Sequence, residues 1–263
     1  DDGEPESVPH FLAMTATPIP RTLSLACFGN LDISLLNEMP KNRKPIITKI
    51  ARNHADRTKI EDFIRQEITK GRQAFIIFPL VETSLALKDV KAAVAEHATL
   101  EKEIFPDLRI GLIHGKMKSQ EKEAMMKAFQ EQTFDILVAT SVVEVGIDIP
   151  NASVIVIEEA DRFGLSQLHQ FRGRVGRGDH QSYCFLIPGE HASLENARLE
   201  ALEKSADGFH IAETDLALRG PGSFFGTRQS GLPDVAMESL TNLKLISLAR
   251  AEAETLLIAD ETV

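Results

Sequence analysis

The stretch Ile136-Leu-Val-Ala-Thr-Ser-Val-Val-Glu-Val-Gly-Ile-Asp-Ile-Pro150 decides how this chain folds. It begins as an apolar run typical of a buried strand, and it continues directly into a loop that carries a hydroxyl, a glycine and a carboxylate. In parallel α/β sheets, ligands bind at the carboxyl ends of the strands. We therefore expect Thr140, Gly146 and Asp148 to lie at that edge of a sheet. Asp148 is also compatible with a plain cap on the turn before Pro150.

Similar apolar segments occur on both sides of this stretch. Between Lys44 and Pro188 they alternate with helical patterns, which indicates an α/β fold with a parallel sheet flanked by helices, resembling one RecA-like domain. The expected strands are Ile46–Ile50, Gln73–Phe78, Arg109–Ile113, Phe134–Ala139, Ser153–Ile157 and Tyr183–Ile187. The expected helices include one with Ile60, Phe63, Ile64 and Ile68 at helical spacing that stops at Gly71, and one capped by Ser119 that buries Met125 and Phe129.

The pattern changes after Pro188. Two short helices, about Leu194–Lys204 and Ile211–Arg219, are expected to join across Gly208 and to lead into a glycine-rich loop. We interpret this region as a C-terminal helical hairpin with an ordered hook. The later segment Leu240–Ala259 is predicted to be an amphipathic helix that packs on its own chain or on a partner domain. Its apolar face contains Leu243, Ile246, Ala249, Ala253 and Leu257.

Composition limits the classes of protein that remain. The 263 residues contain two cysteines and have no apolar run long enough to cross a membrane, so we expect a cytoplasmic protein without a disulfide framework or a protein-held metal. The net charge of −10 argues against a nucleic-acid partner when it is taken alone. However, four arginines lie between positions 162 and 177, and two more lie between 219 and 228. A local basic surface is compatible with an acidic whole.

The segment Gln167-Leu-His-Gln-Phe-Arg-Gly-Arg-Val-Gly-Arg-Gly178 contains the strongest chemical signal. Arg174 and Arg177 are three residues apart at a helix end, where their guanidinium groups suit a polyphosphate. Such arginines can offset the charge that develops on a transferring phosphoryl group. The alternative is a solvated basic helix end.

Polar residues in three parts of the sequence are candidates for ligand binding. Thr140 is suited to bond a nucleic-acid phosphate, and Asp148 to accept from a ribose hydroxyl. Thr15 and Thr17 follow an apolar stretch, although threonines before a proline often only shape a turn. His114 and Gly115 are expected near a nucleic-acid path at a strand end. Neither His114 nor His169 is expected to be catalytic, because no serine or cysteine nucleophile motif accompanies them.

Taken together, these motifs resemble motifs III, V and VI of superfamily 2 helicases. Within that superfamily, Met14–Arg21, Glu159–Gln170 and above all Leu218-Arg-Gly-Pro-Gly-Ser-Phe-Phe-Gly-Thr-Arg-Gln-Ser-Gly231 resemble the RecG family. The resemblance implies ATP-dependent remodelling of branched DNA, with ATP and Mg²⁺ as cofactors. It also implies site roles, which are catalytic for Arg174 and Arg177, ATP-binding for Gly146, Asp148 and Gln170, DNA-binding for Thr140, His114 and Gly115, and coupling for Thr15, Thr17, Arg198, Arg219 and Gln229.

The printed sequence contains no phosphate-binding loop of the form G-x-x-x-x-G-K-[ST] and no Asp-Glu-x-His box. We therefore expect a remnant of a first RecA-like domain at 1–43, a second RecA-like domain at 44–190, a translocation motif at 191–235 and a C-terminal helix at 236–263. Mg²⁺ and the remaining N-terminal domains would complete the ATP site. The alternatives are a transcription-repair coupling translocase and a non-enzymatic nucleic-acid-binding module.

Overall fold

The computed structural model describes residues 43–79, 86–140, 148–190, 196–219 and 243–260, together with the isolated positions 12, 14, 34, 36 and 192. Several predicted features lie outside these residues, namely Thr15, Thr17, Gly146, Gln229 and the hook. Arg219 closes a described helix, but only its backbone is described. The predicted boundaries between the four segments of the chain stay predictions.

The described part of the chain forms one six-stranded sheet in the order β1-β6-β5-β2-β4-β3, and every strand pairs in parallel with its neighbours. This confirms the predicted α/β class. All six predicted strands are present, with ends shifted by two residues at most. They are β1 Ile47–Ile50, β2 Gln73–Phe78, β3 Ile110–Ile113, β4 Ile136–Thr140, β5 Ala152–Ile157 and β6 Tyr183–Leu186.

Seven α-helices are described around and after the sheet. They are α1 His54–Thr69, α2 Ala86–Thr99, α3 Ser119–Gln130, α4 Leu165–Arg172, α5 Ala197–Lys204, α6 Gly208–Arg219 and α7 Leu243–Asp260. A π-helical turn, Leu100–Ile104, extends α2, and a 3₁₀ turn, Ala160–Arg162, follows β5. The helices α5 and α6 are the predicted hairpin. No helix among the described residues is long and apolar enough to cross a membrane.

Alternate residues of the central strands pack into two separate cores. On one face, Phe75, Leu137 and Ile155 contact apolar residues of α3, α4, α5 and α6. On the other face, Ile76 and Val156 contact α1 and the π-helical turn. Because β2, β4 and β5 are buried along their whole length, their sequences contain continuous apolar runs. The hairpin and the arginine-bearing helix α4 therefore share one core.

Three sequence predictions need correction. Ser119 is the first residue of α3, and Lys118 occupies the cap position instead. The backbone N–H of Lys118 donates to the Glu121 carboxylate at 2.9 Å. Met126, and not Met125, is fully buried in α3, since it shares a face with Phe129. In α7, Ala249 and Ala253 are exposed although both belong to the predicted apolar face.

Candidate functional site at the two edges of the sheet

The residues that directly precede the strands meet at the amino edge of the sheet. Gln181 donates to the carbonyl of Pro45 at 2.6 Å, which joins the segments before β6 and β1. Arg43 donates from Nε to the carbonyl of Gly176 at 2.8 Å. Arg72, just before β2, lies 3.4 Å from the side-chain oxygen of Asn151, just before β5. These contacts make the amino edge one continuous surface.

The predicted ATP residue Asp148 and the predicted catalytic residue Arg177 lie together on this surface. Arg177 Nε is 3.5 Å from Asp148 Oδ1, and the two side chains are 35% and 54% exposed. The same Nε donates to the carbonyl of Gly173 at 3.3 Å. The guanidinium is thus positioned by the turn that carries it while remaining open to solvent. An anion of higher charge can compete with one carboxylate for such a group.

The prediction that Asp148 lies at the carboxyl edge with Thr140 is wrong. Thr140 ends β4 at the carboxyl edge, whereas Asp148 lies four residues before β5 begins at the amino edge. Both strands run parallel to β2, so the chain must return across the sheet between them. One sequence motif therefore contributes to two different edges, with Thr140 at one and Asp148 at the other.

The turn between Arg174 and Gly178 is shaped by two glycines. Gly176 has a φ of 77°, a conformation that side chains rarely adopt, and a Cβ there would lie 3.0 Å from Ile46. At Gly178 a Cβ would overlap the carbonyl oxygen of Pro150. Because Pro150 is two residues from Asp148, this close approach of two backbones sets the distance between Asp148 and Arg177.

Helix α4 carries the other residues of the arginine motif. Its first turn is capped by Gln167, whose side-chain oxygen accepts from the N–H of Gly164 at 3.1 Å. Gln170 and Arg174 are half-buried, and the backbone N–H of Arg174 donates to the carbonyl of Phe171 at 2.9 Å, which closes a turn directly after the last residue of α4. Both residues therefore lie close in the chain to the turn that carries Arg177.

Arg172, at the end of α4, behaves differently from its neighbours in the motif. It is 4% exposed, and its guanidinium donates to the carbonyls of Leu202 and Ser205 at 2.9 and 2.7 Å. A further bond joins Nη2 to His169 Nδ1 at 3.0 Å. Burial and, to a smaller extent, the Arg172 charge together lower the pKa of His169 to about 4. At neutral pH the unprotonated Nδ1 is the acceptor.

The predicted nucleic-acid residues lie at the carboxyl edge. Continuing the register of β3 and β4 places His114 beside Thr140. Thr140 Oγ1 and His114 Nδ1 are buried atoms with no hydrogen-bond partner in the described structure. Gly115 is exposed, and its carbonyl accepts from Lys122 at 3.1 Å. Unpaired buried polar atoms are uncommon, and they are expected where a ligand supplies the missing bond.

A cavity of about 570 Å³ also opens at the carboxyl edge, above β2, β5 and β6. Five of its thirteen lining residues are acidic and two are arginines, and among them Glu158 pairs with Arg57 at 2.8 Å. Burial raises the pKa of Glu158 to about 7, although Arg57 lowers it. Thr140, His114 and Gly115 are not among its lining residues. An excess of carboxylates does not suit a phosphate backbone.

The predicted coupling residue Arg198 links the hairpin to the carboxyl edge. Asn196 caps α5 by accepting from the N–H of Arg198 at 3.1 Å. Arg198 then donates from Nη2 to the carbonyl of Asp161 at 3.1 Å, in the turn after β5. Asp161 in turn accepts from the N–H of Gly189 at 2.7 Å. Arg198, Arg219 and Gln229 are the three coupling residues predicted in the hairpin and hook. Of these, Arg198 is the one whose side chain is described.

The sequence interpretation missed three basic residues that help to build these surfaces. Arg43 and Arg72 were overlooked because each lies alone before a strand, outside any motif. The signal that identifies them is their position, since every residue just before a strand of a parallel sheet lies at the amino edge. Arg172 was counted with the basic cluster, and nothing local indicates that it is buried. The described residues contain no group of three or more His, Cys, Asp or Glu side chains that could hold a metal ion.

Two families match the chain. The helicase conserved C-terminal domain matches residues 56–179, which contain most of the sheet and the arginine motif. The family described as "ATP-dependent DNA helicase RecG, domain 3, C-terminal" matches residues 205–263. The first match defines the class of protein as a helicase motor domain of superfamily 2.

Curated relatives agree with both matches. Proteins named "ATP-dependent DNA helicase RecG" are 53% identical over 255 residues in Synechocystis sp. and 46% identical over 255 residues in Staphylococcus aureus. These matches cover 97% of this chain and 30% and 37% of the relatives. The protein of that name from Thermotoga maritima is 47% identical, with 92% of this chain and 31% of the relative covered. The chain thus spans about a third of the length of the curated relatives it matches.

A solved structure described as RecG bound to a three-way DNA junction matches with a TM-score of 0.68 and 43% identity, covering 88% of this chain and 30% of that one. The chain belongs to the RecG-like helicase family of superfamily 2, and it corresponds to the C-terminal motor portion.

The contact between Gly178 and Pro150 predicts that Gly178→Ala forces the arginine turn away from Asp148. The overlap involves backbone on both sides, so we expect the free energy of unfolding to fall by about 1–3 kcal/mol. Urea denaturation of the chain measures this change. The control is Gly189→Ala, where the added Cβ would lie 3.4 Å from the Asp161 carboxylate. Equal stabilities for both variants would contradict the prediction.

The pKa of His169 predicts a specific dependence of stability on pH. The folded-state pKa, about 4, lies below the ordinary 6.5, so the unfolded chain binds the proton more tightly. The stability contributed by neutral His169 is therefore complete above about pH 6.5 and is lost as the pH falls towards 4. His169→Asn keeps an acceptor near the position of Nδ1 but takes up no proton.

We expect the difference in unfolding free energy between His169→Asn and the unmodified chain to move by about 1–2 kcal/mol in favour of the variant between pH 7 and pH 4, after allowance for partial exposure of the ring. Denaturant titrations of both proteins at several pH values measure it. A difference that stays constant with pH would exclude the predicted burial of the neutral imidazole.

Proposed function

We propose that the amino edge of the sheet is the half of an ATP site that this chain contributes. The observation that carries the proposal is the pairing of Arg177 with Asp148 on a half-open surface. Arg177 and Arg174 would bind the terminal phosphates and stabilise charge in the transition state, while Asp148, Gln170 and Gly146 would bind the rest of the nucleotide.

The residues at this edge fit ATP better than they fit a metal ion. The Arg177 guanidinium is partly exposed and accessible to phosphate oxygens, and the Asp148 carboxylate lies beside it. Mg²⁺ requires several oxygen ligands, so we propose that it is held mainly by the ATP phosphates and by a preceding motor domain. When bound, the ion would offset the negative charge of the phosphate oxygens.

We further propose that the carboxyl edge binds nucleic acid through Thr140, His114 and Gly115. The two unpaired polar atoms on neighbouring strands support this assignment, because each lacks a bond that a phosphate oxygen or a sugar hydroxyl would supply. Thr140 is 2% exposed, so its hydroxyl would meet a phosphate at the bottom of a narrow opening. A hydrogen bond from Thr140 to a phosphate would position the nucleic-acid strand without recognising its base sequence.

For the whole protein we propose ATP-dependent remodelling of branched DNA. The relatives named as RecG helicases support this activity, and the solved RecG complex with a three-way junction supports branched DNA as the partner. Both favour it over a transcription-repair coupling translocase or a non-enzymatic binding module. Coupling would involve Thr15, Thr17, Arg198, Arg219 and Gln229, and the bond from Arg198 to Asp161 supports the place of Arg198 in that set.

The assignment of Arg177 predicts that Arg177→Ala in the full-length protein lowers kcat for DNA-stimulated ATP hydrolysis by about 10³-fold or more, while DNA affinity changes little. Arg174→Ala is expected to act in the same direction. Arg109→Ala is the matched control, because Arg109 also precedes a strand and also pairs with an aspartate, Asp135, at 2.6 Å.

Steady-state ATPase assays and DNA-binding titrations on the same preparations measure both quantities. The control should keep its kcat. Normal kcat with lost DNA affinity in Arg177→Ala would move Arg177 from the ATP site to the nucleic-acid path.

The division of the ATP site predicts that the 263-residue chain alone shows no DNA-stimulated ATPase activity, because it has no phosphate-binding loop. The assay uses the chain with Mg²⁺-ATP and a three-way junction, and the full-length protein serves as the positive control. Activity of the isolated chain that disappears in its Arg177→Ala variant would contradict the prediction.

A further inference from the structure

We propose that Arg172 is a positioning residue that transmits movement of the arginine turn to the helical hairpin. The inference rests on the proposed function, since it assigns a mechanical role beside the ATP site and not a role in catalysis. It starts from an unusual placement. Within the same motif Arg174 is half-buried and the side chain of Arg177 is 35% exposed, whereas Arg172 is 4% exposed and lies at the core shared by α4, α5 and α6.

The guanidinium of Arg172 closes the end of helix α5. Its Nη1 donates to the carbonyls of Leu202 and Ser205, and its Nη2 donates to the carbonyl of Ala206 at 3.3 Å. Carbonyls in the last turn of a helix and just beyond it have no helical partner, and they form the negative end of the helix dipole. A buried cation is well placed there. Ser205 and Ala206 also begin the link to α6, so one side chain holds the corner of the hairpin.

Arg172 is also tightly bound to the arginine turn. It is the last residue of α4, only two residues before Arg174 and five before Arg177. Leu165 and Leu168 of α4 are fully buried, and Phe171 is 4% exposed, so the helix moves as a rigid rod or not at all. A displacement of the arginine turn on ATP binding therefore reaches the guanidinium of Arg172 without loss.

The hairpin is held at two points that respond to different parts of the domain. Arg198, at the start of α5, bonds to the turn after β5, whereas the end of α5 is bonded by Arg172. If α4 shifts while the sheet stays fixed, the two ends of α5 are displaced by different amounts. The hairpin then rotates, and α6, which packs against α4 and α5, follows.

A purely structural role would have different consequences. The partners of Arg172 are three carbonyls and a neutral imidazole, and none of them carries a charge. For stability alone, another donor could therefore replace the guanidinium at these carbonyls. Arg172→Lys keeps the cation but replaces the planar fork by a single point donor. It therefore retains part of the stability and loses the simultaneous contact with the end of α5 and the link to α6.

The first test uses the chain itself and needs no ATP. Gly176→Ala strains the arginine turn, because Gly176 has a positive φ. We expect this change to raise hydrogen exchange at the backbone amides of residues 205–208 in the unmodified chain. The same change should have no such effect when Arg172→Lys is already present. Arg65→Lys is the matched control background, because Arg65 also donates to a helix-end carbonyl, that of Ile104, but on the opposite face of the sheet.

The second test uses the full-length protein and measures the amount of three-way junction unwound per ATP hydrolysed. For Arg172→Lys and Arg172→Gln we expect this ratio to fall about tenfold, with DNA-stimulated ATPase within about twofold of the unmodified protein. Arg65→Lys should leave the ratio unchanged. Melting temperatures of all variants are measured on the same preparations.

The outcomes separate the interpretations. A response at residues 205–208 that persists in the Arg172→Lys background overturns the proposal, as does an unwinding ratio that stays normal. An equal fall in ATPase and unwinding together with a lower melting temperature shows a structural role only. If the unmodified full-length protein has no DNA-stimulated ATPase activity, the proposed function fails, and the exchange experiment on the chain still decides the role of Arg172.

Discussion

The parallel direction of all six strands is the constraint on which the rest of this structure depends. Parallel neighbours cannot be joined by tight turns, so the chain must return to the amino edge before each strand begins. Residues before strands therefore collect at one edge and residues after strands at the other. Arg43, Arg72, Asp148 and Arg177 share the amino edge for this reason, although up to 134 positions separate them in the sequence.

The two edges differ in charge as well as in position. At the amino edge, the partly exposed guanidinium of Arg177 lies beside the carboxylate of Asp148, and such a group suits a polyphosphate. At the carboxyl edge, beside the cavity above β5 and β6, burial raises the pKa of Glu158 to about 7, and nearby carboxylates add to the rise while Arg57 opposes it. The proposed nucleic-acid residues lie at the other end of that edge, beside β3 and β4. An overall charge of −10 is thus compatible with the two proposed anionic ligands, because each would bind locally.

The sequence predicted the strands well, because strands buried on both faces, such as β2 and β5, appear as continuous apolar runs. The arginine motif was recognised from the spacing of Arg174 and Arg177, and the hairpin from two short helical patterns after Pro188. Both signals lie within a few consecutive residues. The predicted edge for Asp148 was wrong because a run of consecutive residues suggests a single location, whereas Thr140 ends β4 at the carboxyl edge and Asp148 lies before β5 at the amino edge. The burial of Arg172 could not be predicted, since it depends on carbonyls some 30 residues away in α5.

The separation of the two edges also explains why the proposed coupling between nucleotide and nucleic acid would require an element such as the hairpin. A strand of five residues spans roughly 17 Å, so Thr140 and Arg177 are too far apart for a direct contact to link nucleic acid with nucleotide. The sheet between them is densely packed and transmits displacement only as a rigid body. Helix α5 is bonded to both sides, to the carboxyl-edge turn through Arg198 and to the arginine-bearing helix through Arg172. A small rotation of α4 relative to the sheet is therefore converted into a rotation of the hairpin, the region in which the chain differs from a simple RecA-like domain.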